Sequence, residues 1–503
     1  MNISKTLGLG LGILPLSTLG CAPDAVYITS NPDVEKPDVD NDKDDDDTDS
    51  IPSVYTPQKM NILFIAVDDL RPELNCYGRT HMSTPNIDAL SQKSIQFSNA
   101  FCNVSVSGAN RSCLVTGLYP SRTRFTKHDT RADKDVPNAL TLQKHLRNNG
   151  YVAYSYGKIS HHQTDFGNDW SEAPQRFSNA PGVKQYHNYQ KVNNKTPAFE
   201  AGNVDDNKYI DGATADAAIK KLAELAKGGK PFFFGVGFTK PHLPFNAPKK
   251  YWDLYTGKVE LPRNPNFPTN GPSQVDHNSG EIHNNYFVPD VPFSYVKNKP
   301  LPDEATKLLR QGYYACVSYT DANVGRLIAA LEANGLADNT IVILWGDHGW
   351  SLGNHTHWAK HTTFDTALRV PYIVHVPGLQ QGVKSETFTV TADVYPTICD
   401  LVGIEKPSAL QGESMLPALL EPNKQLNDVA ICRYLKYEAI VKGNYAYTQV
   451  LTNFSAGNYS VSGEMLYDHS GDPLETNNIA PSNKLKVSEM KSELNTAVTK
   501  YNK

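Results

Sequence analysis

The stretch Asn61-Ile-Leu-Phe-Ile-Ala-Val67, followed directly by Asp68-Asp69, is typical of a buried β-strand that ends in two carboxylates. Similar apolar runs lie at residues 151–156, 231–238, 340–345 and 371–376. Helical patterns lie between them, at residues 86–93, 139–149, 213–227 and 305–335. Because strands alternate with helices, the sequence predicts an α/β fold whose sheet is covered by helices on both faces.

After residue 428 the pattern changes to short strands and a terminal helix. Residues 437–441 and 445–450 are predicted to form a hairpin because Gly443 lies between them. A third strand is expected at 465–467 and a helix at 483–501. These elements predict a small α+β subdomain at 429–503, after a catalytic domain at 59–428. Residues 243–300, rich in Pro, Asn and Gly, are expected to form long loops that shape a substrate cleft.

The first 20 residues have the pattern of an export signal. Lys5 precedes the apolar residues 7–19, a stretch too short for an ordinary membrane span. The signal ends in Leu19-Gly20-Cys21, which resembles a bacterial lipoprotein signal with Cys21 as the lipid-modified residue; a plain cleaved signal peptide is the alternative. Residues 21–58 are acidic and poor in large apolar side chains, so a disordered tether is predicted. We expect a periplasmic or cell-surface protein, and an outer-membrane lipoprotein if Cys21 is lipidated.

Charge and cysteine usage exclude several classes of protein. The 503-residue chain has a net charge of −5, and residues 33–50 alone carry ten acidic side chains against Lys36 and Lys43. The rest has no dense basic run, so nucleic-acid binding is not expected. None of the seven cysteines forms a Cys-x-x-Cys pair, which disfavours a zinc ribbon or a thioredoxin site. The sequence leaves disulfide pairing open.

Two strand ends offer ligands for a cation. Asp68 and Asp69 follow the first strand, and Asp347 and His348 follow the strand at 340–345. Open α/β sheets build their sites at the carboxyl ends of strands. Adjacent carboxylates repel each other unless a cation joins them, and Ca²⁺ and Mg²⁺ both prefer oxygen ligands. The four residues therefore predict a site for one divalent cation, with a solvated turn as the alternative for Asp68-Asp69 alone.

A third motif carries a resemblance to a known family. Residues Ser107-Gly-Ala-Asn-Arg111-Ser-Cys-Leu-Val-Thr-Gly117 are in register with the signature of type I, formylglycine-dependent sulfatases. The resemblance covers most of residues 60–480 and is closest to the iduronate-2-sulfatase branch. Further motifs that carry it lie at residues 68–72, 84–88, 157–161, 240–245, 347–353, 358–360, 466–468 and 472–478. The chain departs from the common signature at Ala109, usually Pro, and at Asn110, usually Ser.

The resemblance implies a fold, a cofactor and a set of roles. The implied fold is alkaline-phosphatase-like, with a large mixed sheet sandwiched by helices and a small C-terminal α+β subdomain. Ser107 would be oxidised to formylglycine by a radical-type maturation enzyme, and the cation would usually be Ca²⁺. The matched positions are Asp68, Asp69, Asp347 and His348 for the metal, Arg111, Lys158 and His161 around formylglycine, and His242 and Lys360 for the sulfate and its leaving oxygen. Asp347 is also a candidate proton acceptor.

Other nearby residues stay open as alternatives. Trp350 is expected to bind substrate, and Tyr119 and Arg369 are candidates for the cleft wall, although a structural ion pair is as good an explanation for Arg369. Four further histidines compete for the roles of the matched ones, namely His162, His355, His357 and His361.

The chemistry fits hydrolysis of a sulfate ester. Sulfur in this anionic group is a poor electrophile, so a divalent cation with Lys and Arg is needed to stabilise charge on the sulfuryl oxygens. An ordinary serine would be left as a stable sulfate ester, whereas an aldehyde hydrate has a second hydroxyl that lets sulfate leave. We expect an exported sulfatase acting on a carbohydrate, with a 2-O-sulfated uronic acid in a glycosaminoglycan or algal polysaccharide fragment as the implied substrate. The alternatives are a phosphatase or phosphodiesterase that uses unmodified Ser107, and a catalytically dead glycan-binding homologue.

Overall fold

The computed structural model describes residues 55–188, 194–275, 280–289, 291, 296, 299–455 and 458–501. The predicted export signal, Cys21 and the acidic tether up to residue 54 lie outside the described residues. The described residues belong to one compact unit, Ile51–Lys503. Among the helices that are described, none has both the length and the apolar character needed to cross a bilayer.

Within the described ranges, seven strands form the main sheet. They are β1 (Asn61–Val67), β2 (Ile95–Phe97), β3 (Val152–Gly157), β4 (Phe232–Phe238), β5 (Thr340–Gly346), β6 (Tyr372–His375) and β7 (Val383–Ser385). The order across the sheet is β7-β2-β6-β5-β1-β4-β3. The neighbours β3, β4, β1 and β5 are parallel, whereas β6 is antiparallel to both β5 and β2. The sheet is therefore mixed, as the resemblance implied.

Helices cover the sheet on both faces. The α-helices are α1 (Pro85–Gln92), α2 (Ser107–Thr116), α3 (Ala132–Asp135), α4 (Leu142–Asn148), α5 (Ile210–Leu225), α6 (Lys249–Asp253), α7 (Glu281–Asn285), α8 (Asp303–Ala333), α9 (Asp365–Leu368), α10 (Val394–Val402), α11 (Leu416–Leu420) and α12 (Lys484–Tyr501). Short 3₁₀ helices lie at Asn75–Tyr77, Gly167–Asp169, Asp206–Lys208, Ala337–Asn339, Asn354–Thr356 and Thr391–Asp393.

Alternate β1 residues enter different hydrophobic cores, because side chains alternate across a strand. Phe64 packs in one cluster with Leu146, and Ile65 packs in another with Leu222 and Tyr313.

A second sheet forms the C-terminal subdomain. Its antiparallel strands β8 (Val429–Tyr434), β9 (Tyr437–Lys442), β10 (Tyr445–Ser455) and β11 (Asn458–Asp468) are arranged in sequence order. Val487, Met490 and Leu494 of α12 join Ala439 and Ile440 of β9 in one hydrophobic core. Three further two-stranded sheets join loops of the main domain. They pair Ala100–Phe101 with Thr389–Val390, Thr196–Pro197 with Tyr286–Phe287, and Phe199–Gly202 with Phe245–Pro248.

The structure confirms the predicted fold class. The five predicted strands of the main sheet and the four long helical patterns are present, with ends that differ by a few residues. The six described cysteines are all free, so no disulfide joins them.

Candidate active site

The four predicted cation ligands converge at the end of the sheet. Asp68 and Asp69 follow β1, and Asp347 and His348 follow β5. The two strands pair in parallel with Val67 opposite Gly346, so they end at the same edge. One ligand atom from each of the four residues lies within 4.8 Å of those from the other three, and all four residues are fully buried.

Hydrogen bonds hold these side chains in a coordinating arrangement. The Asp69 N–H donates to Oδ1 of Asp347 at 3.0 Å. His348 Nδ1 lies 3.0 Å from the Gly349 carbonyl, which can only accept, so Nδ1 carries the proton. Burial holds the pKa of His348 well below its usual value. The ring is therefore neutral, and its Nε2 presents a lone pair 3.5 Å from Oδ1 of Asp69.

Electrostatic crowding in the cluster favours a cation. Burial, together with the Asp68, Glu281 and Asp347 carboxylates, raises the pKa of Asp69 well above its usual value, although Lys360 opposes the rise. Burial raises the pKa of Asp347 to about 7 against the opposing effect of Arg111. Three buried carboxylates beside one imidazole lone pair are a donor set that suits a divalent cation. The residues present thus fit the metal that the sequence predicted.

Ser107 lies against this cluster at the start of α2. Its Oγ is 2.9 Å from both Oδ1 of Asp68 and Nε2 of His348, and the residue is 2% exposed. The N-terminus of α2 directs peptide dipoles toward this hydroxyl, which favours negative charge there. Gly108 permits the arrangement, because a Cβ at that position would lie 2.0 Å from the His128 carbonyl oxygen.

Arg111 ties the two strand ends to the neighbouring loop. Its Nε donates to Oδ2 of Asp347 at 2.9 Å, and its Nη2 donates to Oδ1 of Asp68 at 3.1 Å. Its Nη1 donates to the carbonyls of Lys158 and Ile159. The guanidinium is 1% exposed and compensates buried negative charge on both strands.

Lys158 and His161 come from the loop after β3. The Lys158 ammonium donates to Oδ2 of Asp68. Burial alone would raise the pKa of Asp68, but Lys158 and Arg111 outweigh it and hold the pKa well below its usual range. His161 is half-buried in the cavity wall, and burial and Lys158 lower its pKa to about 3. His161 is therefore a neutral imidazole, able to accept a proton.

His242 and Lys360 both approach the Asp69 carboxylate. Lys360 Nζ donates to Oδ1 of Asp69 at 3.0 Å, and its Nζ lies 5.2 Å from the Trp350 ring centroid. His242 Nδ1 donates to the Leu243 carbonyl at 2.7 Å, and its Nε2 lies 3.9 Å from Oδ2 of Asp69. Burial and Lys360 lower the pKa of His242 well below its usual value.

Comparison with known proteins identifies the family. A family profile described as "Sulfatase" matches residues 60–404, and one described as "N-sulphoglucosamine sulphohydrolase, C-terminal" matches residues 353–503. The chain is 32% identical to iduronate 2-sulfatase of Mus musculus over 385 residues, which is 69% of each chain. It is 31% identical to iduronate 2-sulfatase of Homo sapiens over 429 residues, 77% of each chain.

The chain belongs to the sulfatase family. This sulfatase is thus an enzyme that hydrolyses sulfate esters, as the sequence predicted. Among solved structures, a 2-O GAG sulfatase superposes with a TM-score of 0.66 at 22% identity, covering 88% of this chain and 93% of the other. A phosphonate monoester hydrolase from Silicibacter pomeroyi superposes with a TM-score of 0.71 at 20% identity, covering 88% of this chain and 96% of the other. These two likenesses show the fold alone.

The active-site cavity of this sulfatase has a volume of about 840 Å³. Four of the predicted residues line it: Ser107, His161, His242 and Lys360. The predicted loop region contributes Gln274, Gly280, Glu281, Asn284 and Asn285 to the wall, and the turn between β8 and β9 contributes Tyr434, Leu435, Lys436 and Tyr437.

Glu281 is a site residue that the sequence analysis missed. Its Oε1 lies 3.6 Å from Nε2 of His242, and its Oε2 lies 3.8 Å from Nζ of Lys360. No local pattern marks this residue, because α7 reaches the site from a loop rather than from a strand end. His128, also missed, lines the cavity because its loop packs against Gly108.

The other predicted contacts lie elsewhere. Trp350 is fully buried and does not line the cavity. Its ring contacts the Lys360 ammonium and offers no surface to the substrate. Tyr119 stacks on Tyr501 with ring centroids 3.8 Å apart, and Arg369 pairs with Asp365 at 2.9 Å, the structural ion pair that the sequence left open.

The four alternative histidines lie at different distances from the catalytic cavity, and one of them lines it. His361 lines the cavity and stacks on Tyr434. His162 contacts the Asp129 carbonyl at 3.2 Å. His355 and His357 are buried and pack against Phe364, outside the cavity lining.

The two departures from the family signature fit their surroundings. Ala109 is fully buried. Asn110 donates to the Asp347 carbonyl and to Oγ1 of Thr391, and its Oδ1 accepts the Val104 N–H at 3.2 Å. The Asn110 amide therefore helps to fix the turn that carries Asp347.

Proposed function

We propose that this sulfatase removes sulfate from a carbohydrate, with a 2-O-sulfated uronic acid in a glycosaminoglycan or algal polysaccharide fragment as substrate. The observation that carries the proposal is the position of Ser107 Oγ, 2.9 Å from Asp68 and His348 and open to the cavity. The similarity to two iduronate 2-sulfatases supports the uronic acid.

The cavity wall also supports an anionic sugar. His128, His361 and Lys436 line the cavity and supply donors or positive charge, and Tyr434 supplies an aromatic ring. Aromatic faces pack against sugar rings, and cationic side chains bind carboxylate and sulfate groups.

Two groups complete the proposed catalytic apparatus. Asp68, Asp69, Asp347 and His348 would hold a divalent cation, proposed to be Ca²⁺, which supplies positive charge for the sulfuryl oxygens. Formylglycine made from Ser107 by a radical-type maturation enzyme would supply an aldehyde hydrate as the nucleophile.

The chain's own side chains perform the remaining tasks. Arg111 and Lys158 hold Asp68 in its ionised form and thereby fix the nucleophile's partner. His161 lines the same cavity as Ser107, and its neutral imidazole supports a role as the base that accepts a proton when sulfate leaves. His242 and Lys360 also line the cavity, and we propose that they contact the leaving oxygen and supply its proton.

The experiment measures sulfate release from defined sulfated oligosaccharides by protein made together with its maturation enzyme. We expect release from a disaccharide with a 2-O-sulfated uronic acid and none from the Ser107→Ala variant, which keeps the fold. Release from an aryl phosphate instead would establish a phosphatase. Tight binding of the sulfated disaccharide without turnover would establish a glycan-binding protein.

We also propose export and lipid attachment at Cys21. The support is the sequence alone: Lys5, the apolar residues 7–19 and the tripeptide Leu19-Gly20-Cys21. Growth of the native host with labelled fatty acid should label the protein, and Cys21→Ser should abolish the label. An unlabelled but exported protein would support a plain signal peptide, and an intracellular one would refute export.

A further inference from the structure

A second cleft lies apart from the catalytic cavity. Its volume is about 640 Å³, within the roughly 300–1,000 Å³ of ligand-binding clefts. It is formed by the loop after β1, the loop at residues 258–264, α8 and residues 473–475. Within the described part of the chain, no residue lines both the cleft and the catalytic cavity.

The cleft is rich in positive charge. Its Arg and Lys side chains are Arg71, Arg79, Lys258, Arg263, Arg310, Arg369 and Lys384, against the carboxylates Glu73, Glu260, Asp365 and Glu475. Three of the carboxylates are already engaged: Glu73 with Arg71, Asp365 with Arg369 and Glu475 with His469. Among the residues that the structure describes, Glu260 has no ion-pair partner, and the lining cations outnumber the lining carboxylates by seven to four.

Four of those cations lie at the exposed rim. Arg79, Lys258, Arg263 and Lys384 are exposed, and among the described residues none of them has a carboxylate within ion-pair distance. Cations held apart in this way around a concave surface raise the local concentration of anions. A ligand with several spaced negative charges satisfies them better than a single small anion does.

Arg310 supplies the observation that marks this cleft as a binding site. The residue is 7% exposed, and its guanidinium donates to two neutral oxygens, the Leu352 carbonyl at 3.1 Å and the Tyr314 hydroxyl at 2.6 Å. Its Nε is buried without a hydrogen-bond partner. The nearby Glu73 carboxylate is already paired with Arg71, and no carboxylate among the described residues forms an ion pair with Arg310. A buried cation with an unsatisfied N–H is costly, and an anion in the cleft would compensate it.

We propose that this cleft is a second binding site that holds a sulfated segment of a glycan outside the catalytic cavity. The excess of positive charge in the lining favours a ligand with several negative charges. The choice of a sulfated glycan rests on the proposed function, because a sulfatase of carbohydrate esters meets such chains as its substrate.

The test removes the rim cations in the Ser107→Ala protein, so that the ligand is not consumed. The rim variant carries Arg79→Ser, Arg263→Ser and Lys384→Ser, all at exposed positions, where substitutions usually change stability little. Calorimetric titration with a heparin tetrasaccharide counts the molecules bound to each protein chain. We expect the rim variant to bind one fewer tetrasaccharide per chain than its parent.

A charge-matched control carries Lys134→Ser, Lys227→Ser and Lys307→Ser, exposed residues that line neither cleft. This control should keep the parent's number of sites. If the rim variant binds as many tetrasaccharides as the control with equal affinity, the proposal is wrong.

Two further ligands test which class of polyanion the second cleft binds. An unsulfated hyaluronan tetrasaccharide should show no difference between the rim variant and the control, and an equal loss would refute selectivity for sulfate. Single-stranded DNA of matched charge should likewise not distinguish the two proteins; a loss as large as that for heparin would assign the cleft to nucleic acid. Binding is measured without turnover, so failure of the proposed function appears separately as absent sulfate release.

Discussion

Replacing Asp347 by Asn tests the cation site most sharply. In the structure Oδ1 of Asp347 accepts the Asp69 N–H at 3.0 Å, and Oδ2 accepts Nε of Arg111 at 2.9 Å. An amide has only one acceptor atom, so one of these buried donors must lose its partner. A lost partner of this kind costs about 1–3 kcal/mol in the free energy of unfolding.

The larger expected effect is on cation binding, because Asp347→Asn removes one of three carboxylates from the ligand set. If affinity falls about 100-fold, a cation concentration of about 100 times the native Kd stabilises the parent by about 2.7 kcal/mol and the variant by only about 0.4 kcal/mol. Urea unfolding of metal-stripped protein, with and without added Ca²⁺, measures both values. Sulfate release should fall in parallel.

Asp393→Asn is the matched control. Asp393 is a buried carboxylate that accepts the N–H groups of Val390 and Glu413 at 2.8 Å, and it lies outside the cation cluster. The control should lose stability but keep the full stabilisation by Ca²⁺. If Asp347→Asn also keeps that stabilisation and its turnover, the cation assignment is wrong.

Three further predictions concern the residues around the nucleophile. Gly108→Ala would place a Cβ 2.0 Å from the His128 carbonyl oxygen. We expect the free energy of unfolding, measured in urea, to fall by about 1–3 kcal/mol and kcat to fall about 100-fold. A variant with native stability and kcat would contradict the packing argument. Lys360→Met should lower kcat/KM for the sulfate ester by about 10²–10³-fold, and an unchanged value would remove Lys360 from the site. Because burial lowers the pKa of His161 to about 3, its protonated form predominates only below that pH. NMR should therefore show no titration of this ring between about pH 5 and 8, and a step near its ordinary pKa of about 6.5 would contradict its assignment as a neutral base.

The sequence predicted the fold where local pattern carries the information. The apolar runs of β1, β4 and β5 are long enough to be recognised, because central parallel strands are buried on both faces. By contrast, β2 and β7 have only three residues each and acquire their structure from neighbouring strands. β8 was not predicted, although it forms a tight hairpin with β9 in which Tyr434 pairs with Tyr437. Its contact with the loop at Val104 is long-range and gives no local signal.

The site residues also differ in how far local sequence pattern could predict them. The convergence of Asp68, Asp69, Asp347 and His348 could be predicted because strand ends meet at one edge of a parallel sheet. Arg111 and Lys360 were predicted only through motif context, since a lone basic residue gives no local signal. Glu281 was missed because its approach to Lys360 depends on the path of a long loop, and Trp350 was misplaced because a polar motif does not show which way an aromatic ring turns.

Peptide mass spectrometry of active protein from the native host tests the central claim most directly. The account predicts that the tryptic peptide ending at Arg111 is lighter by a pair of hydrogen atoms at Ser107, in a fraction that matches the fraction of active enzyme. Sulfate release should be measured on the same sample. An intact Ser107 in protein that releases sulfate at the full rate would contradict the formylglycine mechanism.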